Sequence, residues 1–158
     1  PSAPGFPRSL VMTSIDFYFN AANRLEVACR LTGKALQKKN RVLIYAPQAQ
    51  VAQQIDRMLW TAQAVSFLPH CAAQDPLAAQ TPVLIVADEV PPGSSPAFTC
   101  DVLLNLSTEC PPFFERHARL LEIVALDDEE RQAGRARYAF YRDRGYAIRN
   151  HDLAKAGT

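Results

Sequence analysis

Glycine is sparse in this chain and scattered. The six glycines stand at 5, 33, 93, 134, 145 and 157. No two lie close enough for a G-x-G turn or a phosphate-cradling loop. A dinucleotide fingerprint needs glycines in the first strand-to-helix turn, where backbone must approach a pyrophosphate. Here that turn reads Asn20-Ala21-Ala22-Asn23. Cysteine is also thin: Cys29, Cys71, Cys100 and Cys110 form no C-x-x-C pair, and His70, His117 and His151 stand apart. That spacing argues against a zinc site or a disulfide framework and for reduced, packed thiols, so no metal and no cofactor is expected. Charge of one sign is lacking too. A formal net charge of +1 gives no basis for nucleic-acid or membrane-surface binding through bulk charge. No apolar run approaches the ~20 residues that span a bilayer.

What is present suits one globular domain. The chain has 158 residues, 48% hydrophobic and 21% charged, enough to bury a sizeable core. Residues 1–11 carry three prolines, no periodicity and no signal-peptide apolar region. They read as a flexible leader or expression remnant, before a single α/β domain over 12–158. The expected location is cytoplasmic.

Residues 15–19, an aromatic and β-branched run, suit a strand. Helical spacing follows over 21–39, with Leu25, Ala28, Cys29, Leu31, Ala35 and Leu36 on one side and lysines at its end, where the helix dipole favours them. Residues 41–46 form an apolar run of the kind found in strands covered on both faces. A second helix is predicted over 48–60, with Val51, Ile55, Met58 and Leu59 inward. Buried strands are predicted over 83–87 and 102–106, separated by a proline-rich loop at 91–96. A short helix over 111–119, a strand over 120–126 and a long helix opened by Asp127-Asp128-Glu129-Glu130 and closed at Gly145 complete the chain. The alternation predicts a three-layer, Rossmann-like α/β domain with a mostly parallel sheet.

Catalytic signals are weak. Ser66, His70 and Asp75 are close in sequence, but a triad needs geometry that proximity does not supply. His70 follows Pro69 and reads as a loop residue that caps or packs. Asp88-Glu89 reads as a solvated strand end. The informative segment is the last helix, where Arg131, Arg135, Tyr138 and Arg142 share one stripe. Ala133, Ala136 and Phe140 point elsewhere, leaving the arginines outward. Such a stripe is either a solvated face, satisfied by Glu129 and Glu130, or a docking site where guanidinium forks grip an acidic peptide. A second stretch gathers Trp60, Phe67 and Pro69 at a helix end and loop. Core packing is the default for such residues, yet aromatics collected in a loop suggest a partner-facing patch.

Taken in order, several segments resemble the chi subunit family of the bacterial DNA polymerase III clamp loader. They are Ile15-Asp-Phe-Tyr-Phe, Lys39-Asn-Arg-Val-Leu-Ile-Tyr, Asp56-Arg-Met-Leu-Trp60, Ser66-Phe67-Leu68-Pro69-His70, Asp101-Val-Leu-Leu-Asn-Leu and Arg137-Tyr138-Ala-Phe-Tyr141-Arg142-Asp-Arg-Gly145-Tyr146. The resemblance runs from about residue 14 to 153. It implies a non-catalytic adaptor with no cofactor and no direct nucleic-acid or membrane contact. One surface would bind the psi subunit, at Trp60, Phe67 and Pro69, a patch also open to a helicase. The other would receive the acidic, phenylalanine-ended C-terminal tail of the single-stranded DNA-binding protein, at Val124, Arg131, Arg135 and Tyr138. At Arg131 the family has a lysine, so the charge is kept and the hydrogen-bond geometry differs. The alternative is a nucleotide-utilising α/β enzyme with an unfamiliar site, which titration with nucleotides would reveal.

Overall fold

A computed structural model describes residues 13–61, 70–72, 81–88, 90–91 and 100–156. The strands are β1 (Ser14–Ala21), β2 (Val42–Tyr45), β3 (His70–Ala72), β4 (Val83–Val86), β5 (Val102–Asn105), β6 (Arg119–Ala125) and β7 (Ile148–Asp152). They form one sheet in the order β3-β4-β2-β5-β6-β1-β7, and every paired neighbour is parallel. The helices are α1 (Arg24–Gln37), α2 (Ala49–Thr61), α3 (Asp128–Asp143) and a short α4 (Leu153–Ala156), with a 3₁₀ turn at Phe114–Arg116.

Both sheet faces are buried, and the strand residues divide between them by the two-residue period. Val42, Ile44, Val83, Ile85, Leu104 and Ile123 pack on one face with Val27, Ala28 and Leu31 of α1 and Ala52, Ile55 and Leu59 of α2. Leu43, Leu84, Leu103, Leu120 and Val124 pack on the other, with Phe113, Phe114, Tyr141 and Tyr146. This is the doubly covered parallel sheet that the apolar runs demand.

The termini of the helices follow local chemistry. Asn23 caps α1 by accepting from the backbone N–H groups of Leu25 and Glu26, both at 3.1 Å. Asp127 caps α3, accepting from Glu130 N–H at 3.4 Å. At the far end Gly145 adopts φ 84°, and Tyr146 N–H bonds back to the Tyr141 carbonyl at 3.2 Å. That six-to-one bond with a left-handed glycine is how a helix closes its last carbonyls.

Four details differ from the sequence reading. His70 opens an edge strand, β3, and does not lie in a loop. β7 was not expected; its residues, Ile-Arg-Asn-His-Asp, are mostly polar because it is a half-exposed edge strand. The predicted helix over 111–119 contracts to the 3₁₀ turn at Phe114–Arg116. The inner stripe of α3 is Gly134, Arg137 and Tyr141, while Ala136 is exposed. The expected leader and most of the 91–96 loop lie outside the described residues.

Candidate functional site

α3 crosses β6 at close range because Gly134 has no side chain. A Cβ there would stand 2.7 Å from Val124 Cγ2, closer than real Cβ atoms come, and a tight 3.0 Å from Cγ1. Beside this contact a cavity of about 170 Å³ opens, lined by Phe19, Asn20, Val124, Gly134, Arg131 and Arg135. Val124 is buried at its floor, whereas Arg131 and Arg135 are exposed, one helical turn apart. Tyr138 is not a lining residue. It is half-buried behind Phe19, its ring centroid 6.3 Å from that of Phe19 and 5.1 Å from that of Phe17.

Three of the carboxylates on and beneath α3 face other cations. Glu130 faces Arg24 at 3.7 Å, Glu122 holds Arg137 at 2.7 Å, and Asp143 pairs with Arg142. Among the described residues, neither Arg131 nor Arg135 has a carboxylate at ion-pair distance. Arg131 and Arg135 therefore form a cationic lip over the buried Val124, while Arg142 of the same stripe is paired with Asp143.

Under α3 lies a polar network that the sequence did not reveal. Glu122, fully buried on β6, accepts from Arg137 Nε at 2.7 Å, the Tyr141 hydroxyl at 2.6 Å and Asn105 Nδ2 at 3.0 Å. Arg137 also donates to the Thr108 carbonyl at 3.0 Å. Burial opposes the Arg137 charge, but Glu122 outweighs it and holds the guanidinium above its ordinary value. Burial and then the Glu122 charge push the Tyr141 hydroxyl far up, so it remains a donor. The signal available in sequence was a glutamate standing alone in the apolar run Leu120 to Ala125. Buried charge is costly unless paired, so such a glutamate implies an inward cation nearby.

Trp60 lies in the last turn of α2 and is 49% exposed. Its ring lies 4.8 Å from that of His70, centroid to centroid. Phe67 and Pro69, expected to join it in one patch, lie outside the described residues, as do Ser66, Asp75 and Glu89.

Ligands of doubly wound sheets bind beyond the strand C-termini, where the strand order reverses. Here that point lies between β2 and β5, and a crevice of about 370 Å³ opens there beside Tyr45, Pro47, Gln48, Ser107 and Glu109. At the neighbouring ends of β5 and β6 a protein cation sits among the carbonyls. Arg24 donates to the carbonyl oxygens of Ile123 (3.0 Å), Leu106 (3.3 Å), Asn105 (3.4 Å) and Ser107 (2.9 Å). The first amides of α1, which a phosphate would use in a nucleotide fold, are taken by Asn23. The thiols of Cys29 and Cys110 are pushed up to about 11 by burial, so both are neutral at physiological pH.

These features define a Rossmann-like α/β domain whose distinctive site is a small apolar pocket with a cationic lip rather than a phosphate-binding turn. The chain belongs to the DNA polymerase III chi subunit (HolC) family, whose model matches residues 12–149. It is 34% identical over 148 residues to the DNA polymerase III subunit chi of Pseudomonas aeruginosa, covering 91% of this chain and 99% of the relative. The corresponding subunit of Escherichia coli is 27% identical over 123 residues, with 78% and 81% covered. That of Haemophilus influenzae is 27% identical over 128 residues, with 81% and 86% covered. The fold alone is shared with a chain from a solved Saccharomyces cerevisiae Dbp5 complex with Nup159, Gle1, IP6 and ADP, at TM-score 0.58 and 12% identity. That likeness covers 87% of this chain and 41% of the other.

Proposed function

We propose that the chain is a non-catalytic adaptor of the replicative clamp loader, joining the psi subunit to the acidic C-terminal tail of single-stranded DNA-binding protein. The observation that carries this reading is the pocket between α3 and β6. A cavity of roughly 150 Å³ is enough to admit a benzene ring, and this one, at about 170 Å³, suits a terminal phenylalanine. Arg131 and Arg135 stand above it with no internal carboxylate partner among the described residues. A peptide that ends in phenylalanine, carries a terminal carboxylate and has acids upstream matches both features. Tyr138, packed against Phe19 beside the pocket, would complete the tail site with Val124, Arg131 and Arg135.

The second surface would centre on Trp60, with Phe67 and Pro69, and would take psi or a competing helicase. An exposed tryptophan is the residue type that most often dominates a protein–protein interface. A pull-down with an immobilised peptide ending in an acidic run and phenylalanine tests the first surface. Retention of the protein, lost when the final phenylalanine is replaced by alanine, is the expected result. Equal retention by both peptides would count against the pocket. For the second surface, Trp60→Ala should remain folded and fail to co-elute with psi.

A further inference from the structure

Trp60 lies against His70, which is in turn bonded to Asp56. Asp56 and Trp60 lie one turn apart on α2, on the same side of the helix. His70, whose side chain is fully buried, opens edge strand β3 and reaches across to both. Its Nε2 is 3.0 Å from Asp56 Oδ1, and its ring lies 4.8 Å from the indole at an interplanar angle of 58°. The imidazole is thus fixed at one end by strand packing and at the other by a carboxylate. It presents one face to an indole that is half in solvent.

We propose that His70, oriented by Asp56, is a positioning residue that holds Trp60 in a binding-ready pose, so that partner docking orders one side chain fewer. This rests on the reading of Trp60 as the centre of the psi-facing surface. An exposed aromatic without such support samples several rotamers, and freezing it on binding costs affinity. A buried histidine in an edge strand needs a reason beyond packing, since an apolar residue would pack there without a polar partner. The Asp56 contact satisfies Nε2, and the ring contact gives that satisfaction a consequence at the surface.

Trp60 is the single tryptophan of the chain, so its fluorescence reports this residue alone. Three variants of the full chain separate the possibilities: His70→Gln, which keeps a polar group but loses the ring, Asp56→Asn, and Trp60→Ala. Anisotropy and acrylamide quenching are read on the free protein for the first two, and affinity for psi on all three. Asp56 is largely exposed, so Asp56→Asn serves as the folded variant if His70→Gln melts early. The expected result is lower anisotropy and faster quenching in both, with affinity for psi weakened about tenfold in His70→Gln and less in Asp56→Asn. Unchanged anisotropy in both variants would overturn the proposal. So would mobile tryptophan with unchanged affinity. If Trp60→Ala itself binds psi normally, the psi-facing surface is misassigned and the binding role of His70 falls with it. The anisotropy would still decide whether His70 restrains the indole.

Discussion

Glu122 is fully buried beneath α3 and accepts from Arg137, Tyr141 and Asn105. A buried ion pair adds little net stability against an apolar replacement, but breaking one side of it costs about 3–5 kcal/mol. Arg137→Ala would leave Glu122 buried with only Tyr141 and Asn105 as donors, and should lose stability in that range by chemical denaturation. Tyr141→Phe removes one donor and leaves Arg137 in place, so about 1–2 kcal/mol is expected. A loss for Arg137→Ala no larger than for Tyr141→Phe would show that the pair does not anchor α3. Gly134 is a second test at this scale. Alanine ordinarily gains about 1 kcal/mol over glycine in a helix. Here the added Cβ meets Val124, and overpacking costs about 1–3 kcal/mol. Gly134→Ala should therefore be destabilising or neutral in thermal melts, and should weaken tail-peptide binding by displacing the pocket wall. A clearly stabilised variant with unchanged binding would contradict the close-contact account.

At the scale of elements, β7 depends on polar fastening as well as on its ladder. Asp16 on β1 is buried, and three residues converge on it: Arg119 from β6 at 2.9 Å, and Arg149 and His151 from β7 at 2.9 and 3.0 Å. Tyr18 stacks on its register partner His151 at 4.4 Å, two residues further along the strands. Burial alone would raise the Asp16 carboxyl. Hydrogen bonds from His151, Arg119 and Arg149 outweigh it and hold the group below its ordinary value of 3.8. The folded value lies below the unfolded one, so the stabilisation is present above about pH 4 and is lost as pH falls through the folded value. Asp16→Asn should be less stable at neutral pH and show a shallower acid decline than the parent. Parallel acid limbs in the two proteins would contradict this. The same elements show what was legible in sequence. β2 and β4 are four-residue apolar runs and β5 is three apolar residues ending in Asn105, all covered on both faces, so their composition marks them. β7 is a polar edge strand, and its order comes from residues far away in the chain. Glu122 and Arg137 were visible as residue types, but their pairing depends on which face of α3 Gly134 brings against β6. The arginine stripe was legible from its period, and the half-buried place of Tyr138 behind Phe19 was not.

For the whole molecule, a formal net charge of +1 predicts weak contact with DNA. The isolated protein should give no appreciable shift of single-stranded oligonucleotide at physiological salt, because a backbone-tracking basic groove is lacking from the sequence. Tight, salt-sensitive binding to bare oligonucleotide would contradict an adaptor that meets DNA through another protein. Tail binding itself should weaken as salt rises, since the Arg131 and Arg135 lip is solvent-exposed and screened within about 10 Å at 0.1 M salt. Isothermal titration of the phenylalanine-ended acidic peptide into the parent and into Arg135→Glu tests the central claim most directly. The parent should bind at micromolar affinity, about −7 to −8 kcal/mol. The variant should remain folded and lose at least ~1.5 kcal/mol, through a lost charge-assisted contact and added repulsion. Equal affinity in a well-folded Arg135→Glu protein would contradict the account.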